Sequence, residues 1–470
     1  MTTAAHPVRS LSDLAGRRAV VLGLARSGAA AARLLADAGA DVTIYDRRSR
    51  AELAGAVESL GRRPVRLALA VAPEQATELV TGAELVVTSP SVSARFPTTE
   101  PWLRRALSDA EAAGVEVVSE VELFLRLTQA RVIGVTGTKG KTTTTALIGS
   151  ILAAGGVPHA VGGNIGTPLV EQADRLSPRH WAVLELSELQ LPTISRGADI
   201  AVYTNIGADH VDRHGSVEAY RAVKARLAEL TATRGTVVLN ADDSGCMELG
   251  ARVPGAKRWY GYEDRSLQAT IAEGQVYVGG RPVLPASEIP LPGRHMHSNV
   301  LAAALAAETA GAAAGAIADG IRGFPGVPHR METAAEVGGV QYVNDSQATI
   351  PLATLAALEA FEGRGLVLVA GGRGKGLDYG ALAEAIVARC RAAVLIGETA
   401  EQLDRLIGGR APVVRAASMD EAVKRAADLA QPGDVVLLSP AAASFDMFVD
   451  YADRGEAFRT AVQALPGAGR

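Results

Sequence analysis

A loop rich in glycine and lysine follows a predicted strand, 131–135, and precedes a predicted helix, 144–154. Glycines allow backbone N–H groups to curl around phosphate oxygens, and the N-terminus of the following helix adds positive potential. Lys141 is placed to reach the outer phosphates of a nucleotide, and the Thr142 hydroxyl is placed to bind Mg²⁺. The strict spacing G-x-x-x-x-G-K-[ST] is not met, because Val135 stands where the first glycine belongs. The sequence therefore predicts a variant phosphate-binding loop, made of Gly137, Thr138, Lys139, Gly140, Lys141, Thr142 and Thr143.

Polar residues also follow two later strands of the same predicted sheet. Glu185 lies at the end of strand 181–186, on the carboxyl edge where open α/β sheets bind ligands, and it can supply a carboxylate to Mg²⁺. The segment after strand 200–205 interleaves acids with His210 and His214. That segment indicates either a second metal or transition-state site, or a polar loop that caps the following helix. Lys224 lies in that helix, where the default interpretation is a solvated lysine.

Three strands in the last third of the chain end in polar segments, 344–349, 371–376 and 439–446. Together these segments would form a crevice that contains a cation, Lys375, with hydroxyl groups and an acid. Such a crevice suits a small carboxylate substrate or the sugar of a nucleotide. Taken singly, each segment is equally compatible with a capped strand-to-helix turn.

The N-terminal residues follow the order strand, glycine turn, helix, strand and acidic residue, which is typical of a Rossmann-like βαβ unit. Ala25 stands where the second glycine of the dinucleotide fingerprint belongs, so a nicotinamide cofactor is a weak interpretation. The arginine-rich turn is still suited to the phosphates of another nucleotide, with Asp46 at a ribose or base edge. Because strands and helices alternate throughout, the sequence predicts three α/β units in series.

The composition excludes several classes of protein. Among 470 residues, 48% are hydrophobic and 21% charged, as in globular proteins with large cores. A net charge of −4 and only 4% aromatic residues argue against a nucleic-acid partner. Two cysteines cannot build a disulfide framework, which favours the reducing cytoplasm. The first ten residues lack the apolar core of a secretory signal, and the stretch 300–317 is interpreted as a buried helix rather than a membrane span.

Together these motifs resemble those of the Mur ligases, the ATP-dependent amide-forming enzymes of peptidoglycan precursor synthesis. The resemblance covers nearly the whole chain. It is carried by the loop 137–143, the L-E-L-S stretch at 184–187, a D-H-x-D stretch at 209–212, a histidine-rich stretch ending at Asn299, and the segment 345–349. The N-terminal unit looks most like that of the D-glutamate-adding members, on the evidence of Gly23, Leu24, Ser27, Gly28, Ser89 and Pro90.

The resemblance implies three domains: an N-terminal Rossmann-like domain that binds a UDP substrate (1–118), a central P-loop ATPase-like domain with a parallel sheet (119–325), and a C-terminal Rossmann-like domain that binds the incoming amino acid (326–470). It also implies the reaction. ATP phosphorylates the terminal carboxylate of UDP-N-acetylmuramoyl-L-alanine (UDP-MurNAc-L-Ala), and the amine of D-glutamate then displaces phosphate from the acyl phosphate. The implied cofactors are Mg²⁺, at two sites, and a CO₂-derived carbamate on Lys224. We expect a cytoplasmic monomer without nucleic-acid partners or membrane insertion.

Site residues follow from the same resemblance. ATP would be bound by the loop 137–143 together with Asn299, Arg330 and Asp345. The UDP substrate would be bound by Arg26, Ser27, Asp46, Arg47, Arg48, Asn164, Ser187 and His210. Glutamate would be bound by Thr349, Lys375, Ser444 and Tyr451, and metal by Thr142, Glu185, His210 and carbamylated Lys224. The catalytic residues would be Lys141, His210 and Lys224.

Several positions depart from the pattern of the Mur ligases. Met296 replaces an asparagine near the expected adenine site, and Gln347 and Ile350 replace lysine and asparagine beside the expected glutamate site. The departures leave open an L-glutamate-adding enzyme or a ligase homologue with altered catalysis. A Rossmann oxidoreductase and a P-loop ATPase without ligase activity are the alternatives from other classes. The missing second glycine and the unexplained loop 137–143 count against the oxidoreductase, and the ATPase leaves the three polar strand ends of the last third unused.

Overall fold

The computed structural model describes residues 7–96, 99–164, 167–207, 214–291, 293–374 and 376–467. The chain forms two compact units. The first contains Met1–Ile289 and Arg294–Phe324, and the second contains Pro290–Gly293 and Pro325–Arg470. Strands and helices alternate in both units, so the predicted α/β class is confirmed. The division into three domains at 118/119 and 325/326 stays a prediction.

The first sheet of the first unit contains β1 (Arg18–Leu22), β2 (Asp41–Asp46), β3 (Val65–Leu69), β4 (Leu85–Thr88) and β5 (Glu116–Ser119). All neighbouring strands are parallel, in the order β3-β2-β1-β4-β5. The intervening helices are α1 (Arg26–Asp37), α2 (Ala54–Ser59), α3 (Pro73–Thr81) and α4 (Pro101–Ala112). Helices on both faces bury the central strands, which explains their continuous apolar runs. The strand order reverses between β1 and β4, and this is where such sheets bind ligands.

The second sheet contains β6 (Arg131–Thr136), β7 (His159–Gly163), β8 (Trp181–Glu185), β9 (Ile200–Tyr203), β10 (Thr236–Asn240), β11 (Ala256–Tyr262), β12 (Ala269–Ala272), β13 (Gln275–Val278) and β14 (Arg281–Pro285). Its order is β14-β13-β12-β11-β10-β9-β6-β8-β7, with β6 between β9 and β8. The associated helices are α5 (Glu120–Leu127), α6 (Lys141–Ala154), α7 (Val217–Thr231), α8 (Ser244–Arg252), α9 (Arg294–Thr309) and α10 (Ala314–Arg322).

The sheet of the second unit contains β15 (Glu332–Val337), β16 (Val340–Asn344), β17 (Leu366–Gly371), β18 (Ala392–Ile396), β19 (Val413–Arg415) and β20 (Val435–Leu438). Its order is β15-β16-β20-β17-β18-β19, and β15 alone among the described strands of this sheet is antiparallel to its neighbour. The helices are α11 (Pro351–Glu359), α12 (Gly380–Arg389), α13 (Ala400–Ile407), α14 (Met419–Leu429) and α15 (Tyr451–Gln463). Two apolar clusters cover the two faces of this sheet.

The central sheet differs from the fully parallel sheet that the resemblance implied. The seven neighbouring strands β12-β11-β10-β9-β6-β8-β7 are all parallel. Strand β13, in contrast, pairs antiparallel with both β12 and β14. Strands β13 and β14 form a hairpin around Gly279 and Gly280, whose φ angles are +58° and +75°. Two consecutive residues with positive φ form the turn that suits the twist of a two-residue hairpin.

One helical prediction also needs correction. The stretch 300–317 is not one helix, because α9 ends at Thr309 and α10 begins at Ala314. Gly311, with φ +102°, lies in the break between them. Helix α10 continues to Arg322. In the part of the chain that the structure describes, no helix is long and apolar enough to cross a membrane.

Candidate active site

The predicted phosphate loop connects β6 to α6, which begins at Lys141 rather than at Thr144. Gly137 and Gly140 have φ angles of +148° and +84°, which disfavour residues with a side chain. The Lys141 ammonium donates hydrogen bonds to the carbonyls of Gly137 and Thr138, each at 3.0 Å. The loop therefore surrounds its own lysine at the N-terminus of a helix, as a phosphate-binding loop requires.

The residues after β9 hold this loop in shape. Asn205 accepts two hydrogen bonds of 2.9 Å from the loop: the amide of Thr138 donates to the Asn205 carbonyl, and the amide of Lys139 donates to Asn205 Oδ1. The Thr204 hydroxyl donates to the carbonyl of Lys139 at 2.5 Å. A β-carbon on Gly137 would lie 2.0 Å from the same hydroxyl oxygen, so this position requires glycine. The sequence analysis did not predict these contacts, since adjacency of β6 and β9 in the sheet creates them.

Glu185 lies next to the phosphate loop, because β8 pairs with β6 and places Glu185 opposite Val135. The carboxylate is 2% exposed. Its Oε1 accepts a hydrogen bond from Asn164 Nδ2 at 2.9 Å, while its Oε2 is buried and has no hydrogen-bond partner among the described residues. A buried carboxylate oxygen is costly unless it is paired or binds a metal. Together with the buried Thr142, it fits the oxygen donors that Mg²⁺ prefers.

Lys224 in α7 is fully buried, so the default interpretation as a solvated lysine is wrong. Its Nζ donates to the Thr136 hydroxyl at 3.3 Å and lies 5.4 Å from the centre of the Tyr220 ring. Thr136 is the last residue of β6, which places the Lys224 amine at the base of the phosphate loop. His210 lies outside the described residues. Within the described ranges, no group of three or more histidine, cysteine or acidic side chains could hold a metal ion.

Two further predicted residues border this region. Ser187 is buried, and its backbone N–H and hydroxyl both donate to Gln190 Oε1, at 2.9 and 3.1 Å. Asn299 in α9 is 6% exposed and lies against the loop, since a β-carbon on Gly140 would be 2.2 Å from its Oδ1. The Nδ2 of Asn299 donates to the sulfur of Met296 at 3.8 Å. The residue that departs from the Mur pattern thus orients the neighbouring asparagine.

A cavity of about 490 Å³ opens at the carboxyl ends of β1 and β4, where the strand order reverses. Asp46, Arg47 and Arg48 line it. Asp46 is 5% exposed and accepts hydrogen bonds from the amide of Leu24 and from the amide, Nε and Nη2 of Arg48, at 2.8–3.0 Å. Burial raises the pKa of Asp46, but the bonds from Arg48 and Leu24 outweigh it and hold the pKa below its ordinary value. The cavity wall is therefore a fixed anion next to two arginines.

Arg26 and Ser27 form the first turn of α1. A β-carbon on Gly28 would be 1.8 Å from the carbonyl oxygen of Gly23, so the glycine lets the helix begin directly above the turn. Arg26 lines a different cavity, of about 580 Å³, together with Arg33. The structure thus brings Asp46, Arg47 and Arg48 together and places Arg26 on a neighbouring surface.

In the second unit, Asp345 lies just after β16 and is 6% exposed. Its Oδ2 accepts a hydrogen bond from the Ser439 hydroxyl at 2.9 Å, and its Oδ1 accepts one from the amide of Met331 at 3.2 Å. Burial raises the pKa of this carboxyl to about 6, although these bonds and the charge of Arg330 oppose the shift. Arg330 and Asp345 are therefore close enough to interact, as residues that bind one ligand must be.

Three of the predicted glutamate-binding residues lie on segments that contact one another. The Ser346 hydroxyl donates to the carbonyl of Tyr451 at 2.7 Å, and the amide of Ala441 donates to the carbonyl of Ala348 at 2.9 Å. These bonds place the segments of Thr349, Ser444 and Tyr451 at one edge of the sheet. Lys375 lies outside the described residues.

Arg454, which the sequence analysis missed, supports this edge from below. It is fully buried and donates to the carbonyls of Ser346 and Ala442 at 2.8 and 3.0 Å and to the Ser346 hydroxyl at 2.9 Å. Burial lowers its pKa to about 10, and the charge of Asp446 acts in the opposite direction. The only sequence signal for it is an arginine within the first turn of α15, three residues after Tyr451.

Comparisons with known proteins identify the family. Residues 135–307 match the model of the Mur ligase middle domain, and residues 329–442 match that of the Mur ligase glutamate ligase domain. A UDP-N-acetylmuramoylalanine–D-glutamate ligase of Solibacter usitatus is 42% identical over 454 residues, covering 96% of this chain and 99% of the relative. A protein of the same name from Acidobacterium capsulatum is 39% identical, covering 97% of this chain and 98% of the relative.

Among solved structures, UDP-N-acetylmuramate–alanine ligase from Thermotoga maritima has a similar fold, with a TM-score of 0.62 at 18% identity, over 95% of this chain and 99% of that one. The resemblance seen in the sequence is thus confirmed at the level of fold and of full-length relatives. The chain belongs to the Mur ligase family.

Proposed function

We propose that this Mur ligase joins D-glutamate to UDP-MurNAc-L-Ala in an ATP-dependent reaction. The observation that carries the proposal is the edge of the central sheet where the Lys141 loop adjoins Glu185, whose Oε2 is buried and lacks a hydrogen-bond partner among the described residues. A phosphate-binding loop beside a carboxylate that can hold a cation suits transfer of the γ-phosphoryl group. The names and the near-complete coverage of the relatives support the same reaction.

In the first step the substrate carboxylate attacks the γ-phosphorus of ATP, and ADP leaves. Two anions must meet, so the reaction needs positive charge placed where negative charge develops. Lys141 would exchange its bonds to Gly137 and Thr138 for charge-assisted bonds to phosphate oxygens, which are about twice as strong as neutral ones. Mg²⁺ bound by Thr142 and Glu185 would supply further neutralisation when present. We place a second Mg²⁺ near His210 and Lys224.

In the second step the neutral amine of D-glutamate attacks the carbonyl carbon of the acyl phosphate. The new C–N bond forms, phosphate leaves with the bonding electron pair, and the amine loses a proton. We assign Thr349, Lys375, Ser444 and Tyr451 to the amino acid. Adenine and ribose are assigned to Asn299, Arg330 and Asp345.

The UDP substrate is assigned to the 490 Å³ cavity and its surroundings. Arg47 and Arg48 would bind phosphate oxygens, with Asp46 at a ribose or base edge and Arg26 and Ser27 at the start of α1. Asn164, Ser187 and His210 would face the muramoyl-alanine part. We assign binding of the UDP substrate to a domain at 1–118, binding of ATP to one at 119–325 and binding of the amino acid to one at 326–470. The protein is proposed to act as a cytoplasmic monomer.

Lys224 is proposed to act as a carbamate. Its neutral amine would add to CO₂, forming an N–C bond and releasing one proton, so that the side chain becomes an anion able to bind Mg²⁺. The support is its complete burial at the base of the phosphate loop, where an ammonium would repel a metal ion. ¹³C NMR of protein equilibrated with ¹³C-bicarbonate tests this directly. A carbamate signal that is lost in Lys224→Arg and kept in Lys257→Arg is expected, and its absence from the unmodified protein would refute the assignment.

The function is tested by phosphate release from ATP with UDP-MurNAc-L-Ala, using D-glutamate and L-glutamate in parallel. We expect release with D-glutamate and a product heavier by one glutamyl residue. Release with L-glutamate alone would keep the chemistry and change the specificity, which the departures at Gln347 and Ile350 leave open. ATP hydrolysis that does not depend on either amino acid would refute the ligase.

A further inference from the structure

The hydroxyl of Tyr203 is bonded into the backbone of α7. Tyr203 is the last residue of β9, and its side chain is fully buried. The hydroxyl donates a hydrogen bond to the carbonyl of Lys224 at 2.7 Å and accepts one from the amide of Ala228 at 2.8 Å. These are the two groups that a regular α-helix joins to each other, since each amide bonds the carbonyl four residues earlier. A strand residue therefore takes part in the helical turn that begins at Lys224.

Two paired strand residues hold the two ends of Lys224. Thr136 of β6 and Tyr203 of β9 are directly opposite each other in the parallel pairing of the two strands. Side chains of paired residues project from the same face of a sheet, so both reach the helix that covers this face. The Thr136 hydroxyl accepts a hydrogen bond from Lys224 Nζ at 3.3 Å, whereas Tyr203 bonds the Lys224 carbonyl. The main chain and the tip of one lysine are thus fixed to adjacent strand ends.

The helix itself does not require the Tyr203 hydroxyl. Without it, the amide of Ala228 and the carbonyl of Lys224 can bond each other, as in any regular helical turn, so neither group is left unpaired. A phenylalanine would bury the same ring without the cost of burying a hydroxyl. A buried polar group that the local structure does not need, and that bonds Lys224 itself, indicates a role in placing this lysine.

We propose that Tyr203 is a positioning residue, whose hydroxyl places the Lys224 amine at the base of the phosphate loop and thereby favours formation of the carbamate. The inference rests on the proposed carbamate, in which the lone pair of the neutral amine forms an N–C bond to CO₂ and one proton is released. Lysine is among the side chains with the most rotamer freedom to lose. An amine whose main chain is already fixed loses less of this freedom on modification, so the carbamate forms at a lower concentration of CO₂.

The test is Tyr203→Phe, which keeps the buried ring and removes the hydroxyl. Titration with ¹³C-bicarbonate at constant pH, followed by ¹³C NMR, gives the bicarbonate concentration at which the carbamate signal is half-maximal. We expect this concentration to rise about tenfold, the effect of one hydrogen bond near the upper end of its net contribution. In the phosphate-release assay, kcat should fall at low bicarbonate and recover at high bicarbonate, while the KM for glutamate stays unchanged.

Tyr260→Phe is the matched control, because it removes a hydroxyl from an equally buried tyrosine of the same sheet. The Tyr260 hydroxyl donates to the carbonyls of Tyr203 and Thr204, at 2.9 and 3.1 Å, which belong to the end of β9 and the residue after it. This variant should keep the bicarbonate dependence of the unmodified protein. Its thermal unfolding measures the cost of losing a buried hydroxyl alone.

Three outcomes would overturn the inference. They are an unchanged half-maximal bicarbonate concentration in Tyr203→Phe, a loss of kcat that high bicarbonate does not restore, and an equal shift in Tyr260→Phe. Each would make the Tyr203 hydroxyl a contributor to stability only. Absence of a carbamate signal from the unmodified protein would instead refute the proposed carbamate, and this inference with it, so the two failures are distinguishable.

Discussion

Replacing Gly140 by alanine tests whether the phosphate loop depends on its close contact with Asn299. Gly140 has φ +84°, in the left-handed region. A β-carbon at this position would lie 2.2 Å from Oδ1 of Asn299, far inside the ~3.5 Å at which non-bonded atoms attract. Asn299 is only 6% exposed and would have to turn away from the loop.

The expected loss of stability has two parts. The left-handed backbone costs a non-glycine residue about 1–2 kcal/mol. Displacing Asn299 from its buried position and from the Met296 sulfur adds about 1 kcal/mol. The free energy of unfolding should therefore fall by about 2–3 kcal/mol. Because the displaced residue adjoins the phosphate loop, the KM for ATP should rise more than tenfold, or by about 1.4 kcal/mol of binding.

Gly156→Ala provides the matched control for this experiment. Gly156 lies just beyond the other end of the same helix and has φ +64°, but a β-carbon there would meet no described heavy atom within 4 Å. It should show the backbone cost alone, by urea unfolding, and an unchanged KM for ATP, by phosphate release. The reasoning is refuted if Gly140→Ala binds ATP as tightly as Gly156→Ala.

Three further predictions concern other parts of the molecule. Glu185→Gln keeps an oxygen acceptor for Asn164 but removes the negative charge. We expect kcat to fall at least about 100-fold, with an unchanged thermal unfolding temperature. Retained activity across a Mg²⁺ titration would contradict the metal role. Asp46→Asn loses the ion pair with Arg48, so the KM for the UDP substrate should rise while the KM for ATP stays constant; equal changes in both would count against the assignment. Burial raises the pKa of Glu120 to about 7. Between about pH 4.5 and 7 the native state therefore binds more protons than the unfolded chain, and the free energy of unfolding should fall as pH rises through that range. The free energy from urea unfolding of Glu120→Gln should lack this pH dependence, and a profile identical to that of the unmodified protein would contradict the prediction.

Much of the site could be predicted because its residues are local in sequence. Strand, glycine loop and lysine are contiguous at 131–141, and the carboxyl end of a buried strand places Glu185 at the same edge. The burial of Lys224 could not be predicted, since it depends on how α7 packs against β6 rather than on neighbours in sequence. The structural role of Arg454 could not be predicted for the same reason, because its hydrogen-bond acceptors belong to other segments of the chain, at Ser346 and Ala442.

The errors in the fold also have local causes. Alanine suits any position of a buried helix, so the run at 300–317 concealed the break at Gly311. The antiparallel extension of the central sheet has short strands of weak pattern, although the Gly279-Gly280 pair was a usable hairpin signal. The residue types at the strand ends therefore predict the chemistry of the site, whereas the partners that each strand pairs with become clear only from the sheet topology.

The two hydrogen bonds that Lys141 makes within its own loop set a condition for inhibitors aimed at this site. Any compound that recruits the ammonium must replace bonds to two carbonyls, at Gly137 and Thr138, that the protein already satisfies. A neutral phosphate mimic replaces two neutral acceptors by other neutral acceptors and gains little binding energy. A dianion gains binding energy, because charged acceptors form stronger hydrogen bonds than neutral ones. We therefore expect inhibitors of this loop to gain more affinity from formal negative charge than from shape complementarity alone.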